Sequence, residues 1–143
     1  MRRAALLLVA IAAIATASIA APAATAGGKL PLLISNCAKP KFKPANVILA
    51  CGDASFGATA MTWSKWTRKR AVGTGTGQIN DCNPDCAHGK PKTAAIQLRL
   101  KKPVRCSNGK RIFARVNYTW TQGAPQNFPD SGSVPLGCKL LNL

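Results

Sequence analysis

The chain has 143 residues and a formal net charge of +16, because 20 lysines and arginines stand against only four acidic residues, all of them aspartates. A chain of this length holds one domain with a modest core. The absence of glutamate leaves a glycosidase, which needs a pair of carboxyl groups, only Asp53, Asp81, Asp85 and Asp130 to draw on.

The N-terminal region has the order of a secretory signal peptide. Arg2 and Arg3 precede an unbroken run of small and apolar residues that ends at Ala21, and the small-residue triplet Ala24–Ala26 follows. The run is about long enough to span a bilayer, but no basic cluster follows it as a stop-transfer signal would. We therefore expect cleavage after this triplet, with residues 1–26 as a signal peptide and a mature protein that is secreted or retained at the cell envelope.

All the cysteines lie after the predicted signal peptide. An even number of cysteines in a short exported chain is typical of a disulfide framework, rather than of reduced thiols or a metal cluster. Each bridge is expected to contribute about 2–4 kcal/mol by restricting the unfolded chain. The sequence leaves the pairing open. The six cysteines are Cys37, Cys51, Cys82, Cys86, Cys106 and Cys138.

The positive charge predicts attraction to polyanions. Loss of two arginines with the signal peptide would lower the net charge from +16 to +14. Such an imbalance favours phosphate-rich wall polymers, anionic lipid headgroups or nucleic acid, although it also keeps a protein soluble without any specific partner. We expect no specific recognition of nucleic acid. The candidate contact residues are Lys65, Arg68, Lys69, Arg70, Lys101, Lys102, Arg105, Arg111 and Arg115.

The first part of the mature chain reads as an irregular segment. Residues 27–45 combine Pro31, Pro40 and Pro44 with four lysines, which predicts a basic irregular arm. A β-rich, disulfide-containing domain is expected to occupy residues 46–143.

Four strands are predicted in the first half of that domain. Val47–Cys51 is a short apolar run bounded by turn residues, and residues 58–66 alternate polar with apolar side chains. Every second residue from Gly73 to Gly77 is glycine, which marks a strand face against which a backbone or an aromatic ring packs closely. Residues 93–100 alternate again, and Pro103 then predicts an edge or a bend.

A hairpin gives the clearest local signal. Asn108-Gly109 supplies the positive φ angles of a tight turn, and alternating apolar residues follow it from 110 to 120, where only Phe113 departs from the pattern. The proline-containing tail, residues 122–138, is predicted to be a loop held by its cysteine. Because no segment after the signal peptide has a helical period, we predict an all-β fold, a small disulfide-stapled antiparallel sandwich or barrel.

Residues 80–89 gather two cysteines, two aspartates and the only histidine of the chain. A zinc site would need reduced thiolates, whereas export favours a disulfide. Asn, Asp, Pro and Gly also build turns for local reasons. We interpret this segment as a structural turn with one or two bridges and predict no metal and no cofactor. A hard cation bound by Asp81 and Asp85 is the alternative.

Two tryptophans lie beside cations. Trp63 and Trp66 flank Lys65, and three consecutive cations follow closely. If exposed, such rings stack on sugars or bases, or lie at a membrane interface. Burial in the core is the alternative, and it is favoured in a chain with few tryptophans. On a regular strand the two positions have opposite parity, so one would face the core and the other the solvent.

The sequence offers little to an enzyme. A Ser-His-Asp arrangement would need His88 as its base, and no serine lies in a Gly-x-Ser-x-Gly turn. The segment Gly73–Gly77 lacks the spacing of a dinucleotide-binding motif and the Lys-Ser/Thr ending of a P-loop. We therefore predict a non-enzymatic protein.

Four short patterns resemble a group of small secreted actinobacterial proteins of unassigned function. The resemblance covers residues 47–120. It lends no catalytic residue and implies only export and a shared compact domain. The patterns are Cys51-Gly52-Asp53, Trp63-Ser64-Lys65-Trp66, Ala71-x-Gly73-x-Gly75 and Asn80-Asp81-Cys82-x-Pro84-x-Cys86-Ala87-x-Gly89.

Three function classes follow from these observations. The first is a secreted, non-enzymatic protein that associates with an anionic cell-envelope polymer, a lipid surface or another extracellular surface. The second is a secreted effector or antimicrobial protein that acts on membranes or on a protein partner. The third is a secreted hydrolase, for which the missing acid–base pairs leave the least room.

Overall fold

The computed structural model describes residues 29–125 and 127–141. The predicted signal peptide lies outside these residues. The described chain is all-β with one short 3-10 helix, which confirms the predicted fold class. The elements are β1 (Leu33–Ile34), β2 (Pro40–Lys41), β3 (Val47–Ile48), β4 (Phe56–Trp66), β5 (Ala71–Asn80), β6 (Pro91–Arg105), β7 (Arg111–Trp120), β8 (Ser131–Pro135) and the 3-10 helix Cys138–Leu141.

Strands β3 to β8 form one six-stranded antiparallel sheet in chain order, while β1 and β2 form a separate two-stranded sheet. The large sheet curves into a half-barrel. Its connections lie alternately at its two ends, because each strand reverses the direction of the one before. The β3–β4, β5–β6 and β7–β8 connections therefore share one end, and the β4–β5 and β6–β7 connections share the other.

One face of the sheet carries the main apolar core, while threonines and other polar residues of the opposite face are exposed. This division follows from the alternation of side chains along each strand. The largest core side chains of the sheet are those of Phe56, Met61, Trp63, Ile96, Leu98, Leu100, Phe113, Val116, Tyr118 and Trp120.

The glycines of β5 make room for aromatic rings, as their alternation predicts. A Cβ atom on Gly73 would lie 2.6 Å from Cε3 of Trp63, and one on Gly77 would contact the ring of Trp120. A real Cβ atom essentially never comes this close to a ring, so no larger residue fits at either position. The two indoles therefore pack against the bare backbone of β5.

Strand β4 contains two register shifts, and the second one decides where its tryptophans point. Trp63 is opposite Gly73, but Lys65 is opposite Val72, so one extra residue is accommodated on β4. The prediction that Trp63 and Trp66 face opposite sides is therefore wrong. The bulge turns both indoles toward the core side, where their ring centroids lie 4.8 Å apart in an edge-to-face arrangement.

The segment predicted as a basic arm packs against the half-barrel in its described part. We call residues 31–48 the closing segment. At one end, Leu32 donates its N–H to the carbonyl of Arg111 on β7. At the other, Val47 pairs with Ala58 on β4. Leu33 lies in the core with no exposed surface. The closing segment thus links the β7 and β4 sides of the curved sheet and contains the short strands β1, β2 and β3, so it is more regular than its prolines indicate.

Both tryptophans of β4 bind the closing segment through their indole N–H groups. Trp63 Nε1 donates to the carbonyl of Pro44 and Trp66 Nε1 to that of Pro31, each at 2.9 Å. A proline carbonyl remains an acceptor although the proline nitrogen donates nothing. These two bonds fix the closing segment beside the long strand.

The tail is not the loop predicted from its prolines. Residues 131–135 form β8, which pairs with β7 from Arg115 to Thr119. Leu136, just after the strand, is 1% exposed and belongs to the core. Five residues that include Gly132 and Pro135 form too short a pattern to indicate a strand.

The β6–β7 hairpin is present, but its turn differs from the predicted one. Only Gly109 has a positive φ, of 78°, and the N–H of Gly109 bonds the carbonyl of Cys106. This is a turn of ordinary hand followed by a left-handed glycine. Pro103 does not end β6, which continues to Arg105, and the bend is taken by Lys102 with a φ of 52°.

Three disulfides use all six cysteines: Cys37–Cys51, Cys82–Cys86 and Cys106–Cys138. This confirms the predicted framework, and its presence is compatible with an extracellular or otherwise oxidising environment. The last bridge joins the 3-10 helix to the end of β6 and packs with Ile34 and Ile112 in a small second cluster.

Candidate functional site: the basic end of the half-barrel

The two ends of the half-barrel differ in charge. All four aspartates lie in the connections β3–β4, β5–β6 and β7–β8, which share one end; we call it the aspartate end. The opposite end carries the β4–β5 and β6–β7 connections, and we call it the basic end. The two ion pairs found among the described residues, His88–Asp85 and Lys92–Asp81, are both at the aspartate end.

The basic end holds most of the predicted polyanion residues in two open depressions. The first has a volume of about 730 Å³ and the second about 490 Å³. Strand β6 contributes to both depressions: Lys101 lines the first depression, and Arg105, the last residue of the strand, lines the second. The first is lined by Lys65, Thr67, Arg68, Lys69, Arg70 and Lys101. The second is lined by Lys29, Leu30, Leu32, Arg105, Asn108, Gly109, Lys110 and Arg111.

Like charges face each other across β6 and β7 at this end. Lys101 is directly opposite Arg115, and Arg105 is directly opposite Arg111. Directly opposed like charges destabilise an antiparallel pair. No aspartate forms an ion pair with any of these four residues in the described part of the chain. The sheet therefore keeps two repulsive pairs that an anionic ligand would relieve.

Arg115 has an unused donor. Its Nη1 donates to Ser133 Oγ at 3.0 Å, but its Nε is buried and has no acceptor among the described residues. A buried guanidinium nitrogen without an acceptor is uncommon, because its desolvation is not offset. The guanidinium reaches toward Ser133 on β8, and Arg115 lines neither of the two depressions.

Lys102 adds a local distortion. It adopts a left-handed φ of 52° directly before Pro103, a position at which proline favours extended backbone in the preceding residue. The distortion lies between the residues of the two depressions along β6.

The two tryptophans do not form an exposed stacking platform. Trp63 is 9% exposed and lies in the core. Trp66 is half-buried and contacts both Phe113 and Phe42. The structure therefore supports core packing for Trp63, and it leaves Trp66 at the edge of the basic end under the exposed ring of Phe42.

The cysteine- and aspartate-rich segment, residues 80–89, is a turn at the aspartate end that is held by hydrogen bonds and by the Cys82–Cys86 disulfide. Asp81 Oδ1 accepts the N–H of Lys90 at 2.7 Å and that of Asn83, which lowers the pKa of the Asp81 carboxyl; its contact with Lys92 lowers the pKa further. The pKa of Asp85 is lowered first by the His88 side chain and then by backbone N–H groups. These carboxylates already accept bonds from the turn itself. No group of three or more metal-ligating side chains occurs in residues 29–125 and 127–141.

A third depression lies between the closing segment and the sheet. Its volume is about 470 Å³, and its lining includes the polar side chains of Asn46, Asp53, Gln78 and Asn80. Asp53 accepts the N–H of Ser55, which lowers the pKa of its carboxyl. Asn80 bonds the backbone of Cys82 and Cys86. Two of the polar groups lining this depression are thus already used to shape loops.

Sequence reasoning found the cations but not their arrangement. It missed Lys29 and Lys110, which line the second depression, and the apolar neighbour Leu30. It also missed the separation of the aspartates from the basic end. The alternation of connections in a meander was a usable signal for that separation, once the strands had been assigned.

The fold and the site define a small all-β, disulfide-bridged half-barrel domain with a cationic end. No helix in the described ranges has both the length and the apolar character needed to cross a bilayer. In comparisons with known proteins, the chain matches no family model, and neither a curated protein nor a solved structure shows significant similarity to it.

Proposed function

We propose that the protein is a non-enzymatic binding protein that acts outside the cytoplasm, where its basic end associates with anionic polymers or lipid headgroups. The observation that carries the proposal is the segregation of charge: cations from two connections and two strand ends meet at one end, and every aspartate lies at the other. Net charge alone would attract polyanions from all directions, whereas this separation orients the protein on its partner.

One detail of the basic end favours an anionic ligand over a merely solubilising charge. The Lys101–Arg115 and Arg105–Arg111 pairs place like charges opposite each other. This repulsion disfavours the free protein, and phosphate or carboxylate groups would relieve it.

The proposal is tested with two charge-reversal variants of equal net charge. The first carries Lys69→Glu, Arg70→Glu and Lys101→Glu at the basic end. The matched control carries Lys39→Glu, Lys41→Glu and Lys90→Glu, three exposed lysines elsewhere. Binding to inorganic polyphosphate and to phosphatidylglycerol vesicles is measured at low and at high salt.

The basic-end variant should bind both probes far more weakly than the control variant. Each cation near an anionic surface contributes about 1 kcal/mol, so three reversals should weaken binding by roughly 100-fold or more. Binding by the unaltered protein should fall steeply with salt. Equal losses in the two variants, or binding that does not respond to salt, would refute a site at the basic end.

A further inference from the structure

The basic end also carries exposed apolar side chains, which electrostatic attraction does not explain. The large hydrophobic residues exposed in the described chain are Phe42, at 51% exposure, and Leu30 and Val104, each at 37%. All three lie at the basic end. No cation–polyanion contact requires them there.

Contacts through neighbouring residues place these side chains around the same end of the sheet. The ring of Phe42 lies 5.2 Å from that of Trp66. Trp66 Nε1 bonds the carbonyl of Pro31, the residue after Leu30. On the other side, Val104 is opposite Ile112, which in turn bridges to Leu32 of the closing segment. The end of the half-barrel therefore presents apolar tips on both sides of its rim.

Cations surround each apolar tip. Leu30 lines the second depression together with Lys29, Lys110 and Arg111. The ammonium of Lys43 lies 5.7 Å from the centre of the Phe42 ring, and Val104 precedes Arg105 in β6. A soluble polyanion offers no apolar phase to such side chains. An anionic bilayer offers phosphates to the cations and an apolar interior just beneath them.

We propose that the basic end docks peripherally on an anionic lipid bilayer, with Phe42, Leu30 and Val104 entering the boundary between headgroups and acyl chains. This inference rests on the proposed function and specifies its partner. Charge brings the protein to the surface, and burial of the apolar tips prolongs its stay. Two weak signals of this kind together give reversible but stable attachment.

The test separates insertion from charge by changing only the apolar tips. The double variant Leu30→Ser, Phe42→Ser keeps every cation. It should bind inorganic polyphosphate as the unaltered protein does, but vesicles of phosphatidylglycerol and phosphatidylcholine at least about tenfold more weakly, because one large apolar side chain and a smaller one no longer leave water. The conservative variant Phe42→Leu should retain vesicle binding.

Trp66 provides a direct readout of insertion. It is half-buried beside Phe42, whereas Trp63 and Trp120 are buried. Lipids brominated on the acyl chain should quench part of the tryptophan emission of the unaltered protein and less in the double variant. Unchanged near-ultraviolet circular dichroism and polyphosphate binding show that the double variant is folded.

The outcomes distinguish the two proposals. Equal vesicle binding by the double variant and the unaltered protein, without quenching by brominated lipid, overturns bilayer insertion and leaves the electrostatic function standing. Failure of the unaltered protein to bind either polyphosphate or vesicles overturns the electrostatic function itself.

Discussion

Gly77 shows how a single missing side chain shapes the core. Its backbone lies against the ring of Trp120, so the methyl group of Gly77→Ala would overlap that ring and the side chain of Ile96. Overpacking of this kind destabilises a protein by about 1–3 kcal/mol, and we expect that loss in the free energy of unfolding measured by denaturant titration.

Gly52→Ala is the matched control. A Cβ atom there meets nothing within 4 Å, and Gly52 has no positive φ. Its stability should change by less than about 0.5 kcal/mol. If Gly77→Ala is as stable as Gly52→Ala, the close packing of β5 on the indole is refuted.

Asp81 governs the acid response of the turn that precedes β6. Because the pKa of its carboxyl is lowered in the fold from an ordinary value of 3.8, its contribution to stability is present above about pH 4. It is lost as the pH falls through the lower, folded-state pKa. Stability should not vary between pH 5 and pH 8 on account of this group.

Amide hydrogen exchange at Lys90, whose N–H bonds the Asp81 carboxylate, measures this response. Protection should fall below about pH 4 in the unaltered protein and should already be reduced at neutral pH in Asp81→Asn. Protection of Lys90 that is equal in the two proteins at neutral pH would contradict the assignment.

At the scale of elements, the bulge in β4 makes a prediction that regular strand geometry would reverse. Deletion of Ser64 removes the extra residue and leaves Trp63 and Trp66 two positions apart, still on the same face. The variant should fold with both indoles on the core side. Insertion of one residue at the same place would move Trp66 out of register and should destabilise the protein more.

Tryptophan emission and thermal unfolding measure both variants. If the deletion variant is less stable than the insertion variant, the bulge stabilises the protein by more than placing Trp63 and Trp66 on the same face of β4.

The three disulfides should contribute unequally because they close loops of different length. Their sequence separations are 32 for Cys106–Cys138, 14 for Cys37–Cys51 and 4 for Cys82–Cys86. Loop-closure entropy then predicts losses of about 4, 3 and 2 kcal/mol when each pair is changed to serine. Denaturant midpoints of the three double variants test this order. A Cys82–Cys86 variant that loses the most would indicate that the turn is a structural centre in its own right.

Much of the sheet could be predicted from local patterns. Strands β3 to β7 follow from alternation and from the glycine and Asn-Gly signals, because each pattern lies within a single strand or turn. The order of residues 31–41 and of β8 could not be predicted from their short, proline-containing stretches. Residues 31–41 are ordered by bonds to β4 and β7, far away in sequence, and β8 is ordered by its pairing with β7. The parity argument for Trp63 and Trp66 fails for a related reason: a bulge is a property of the strand pair and leaves no clear mark on one strand.

At the scale of the whole molecule, the like charges at the basic end favour the binding of anions but destabilise the folded protein. Lys101→Glu would turn the repulsive pair with Arg115 into an attractive one. Cross-strand pairs of opposite charge contribute about 0.2–1 kcal/mol, so the thermal midpoint should rise while affinity for polyphosphate falls. Lys101→Gln, which removes repulsion without adding attraction, should stabilise less. A thermal midpoint of Lys101→Glu below that of the unaltered protein would show that the opposed cations do not destabilise the fold.

The candidate site was predictable in composition but not in shape. The cations from Lys65 to Arg70 and from Lys101 to Arg115 are evident in the sequence. Their convergence depends on the fact that β4–β5 and β6–β7 turn at the same end of the sheet. The apolar tips were not predicted, because exposure of Phe42, Leu30 and Val104 is known only once the core is known.

The closing segment has a consequence for the order in which the protein is assembled. It is synthesised before every strand that it contacts, and its partners extend to Phe113 on β7 and, through Ile34, to the Cys106–Cys138 bridge. A nascent chain that ends before β7 therefore lacks part of the surface that receives the closing segment. Completion of the core must wait for late residues, and the route to it is dominated by distant contacts, which makes folding slow in comparison with a helical domain of the same size.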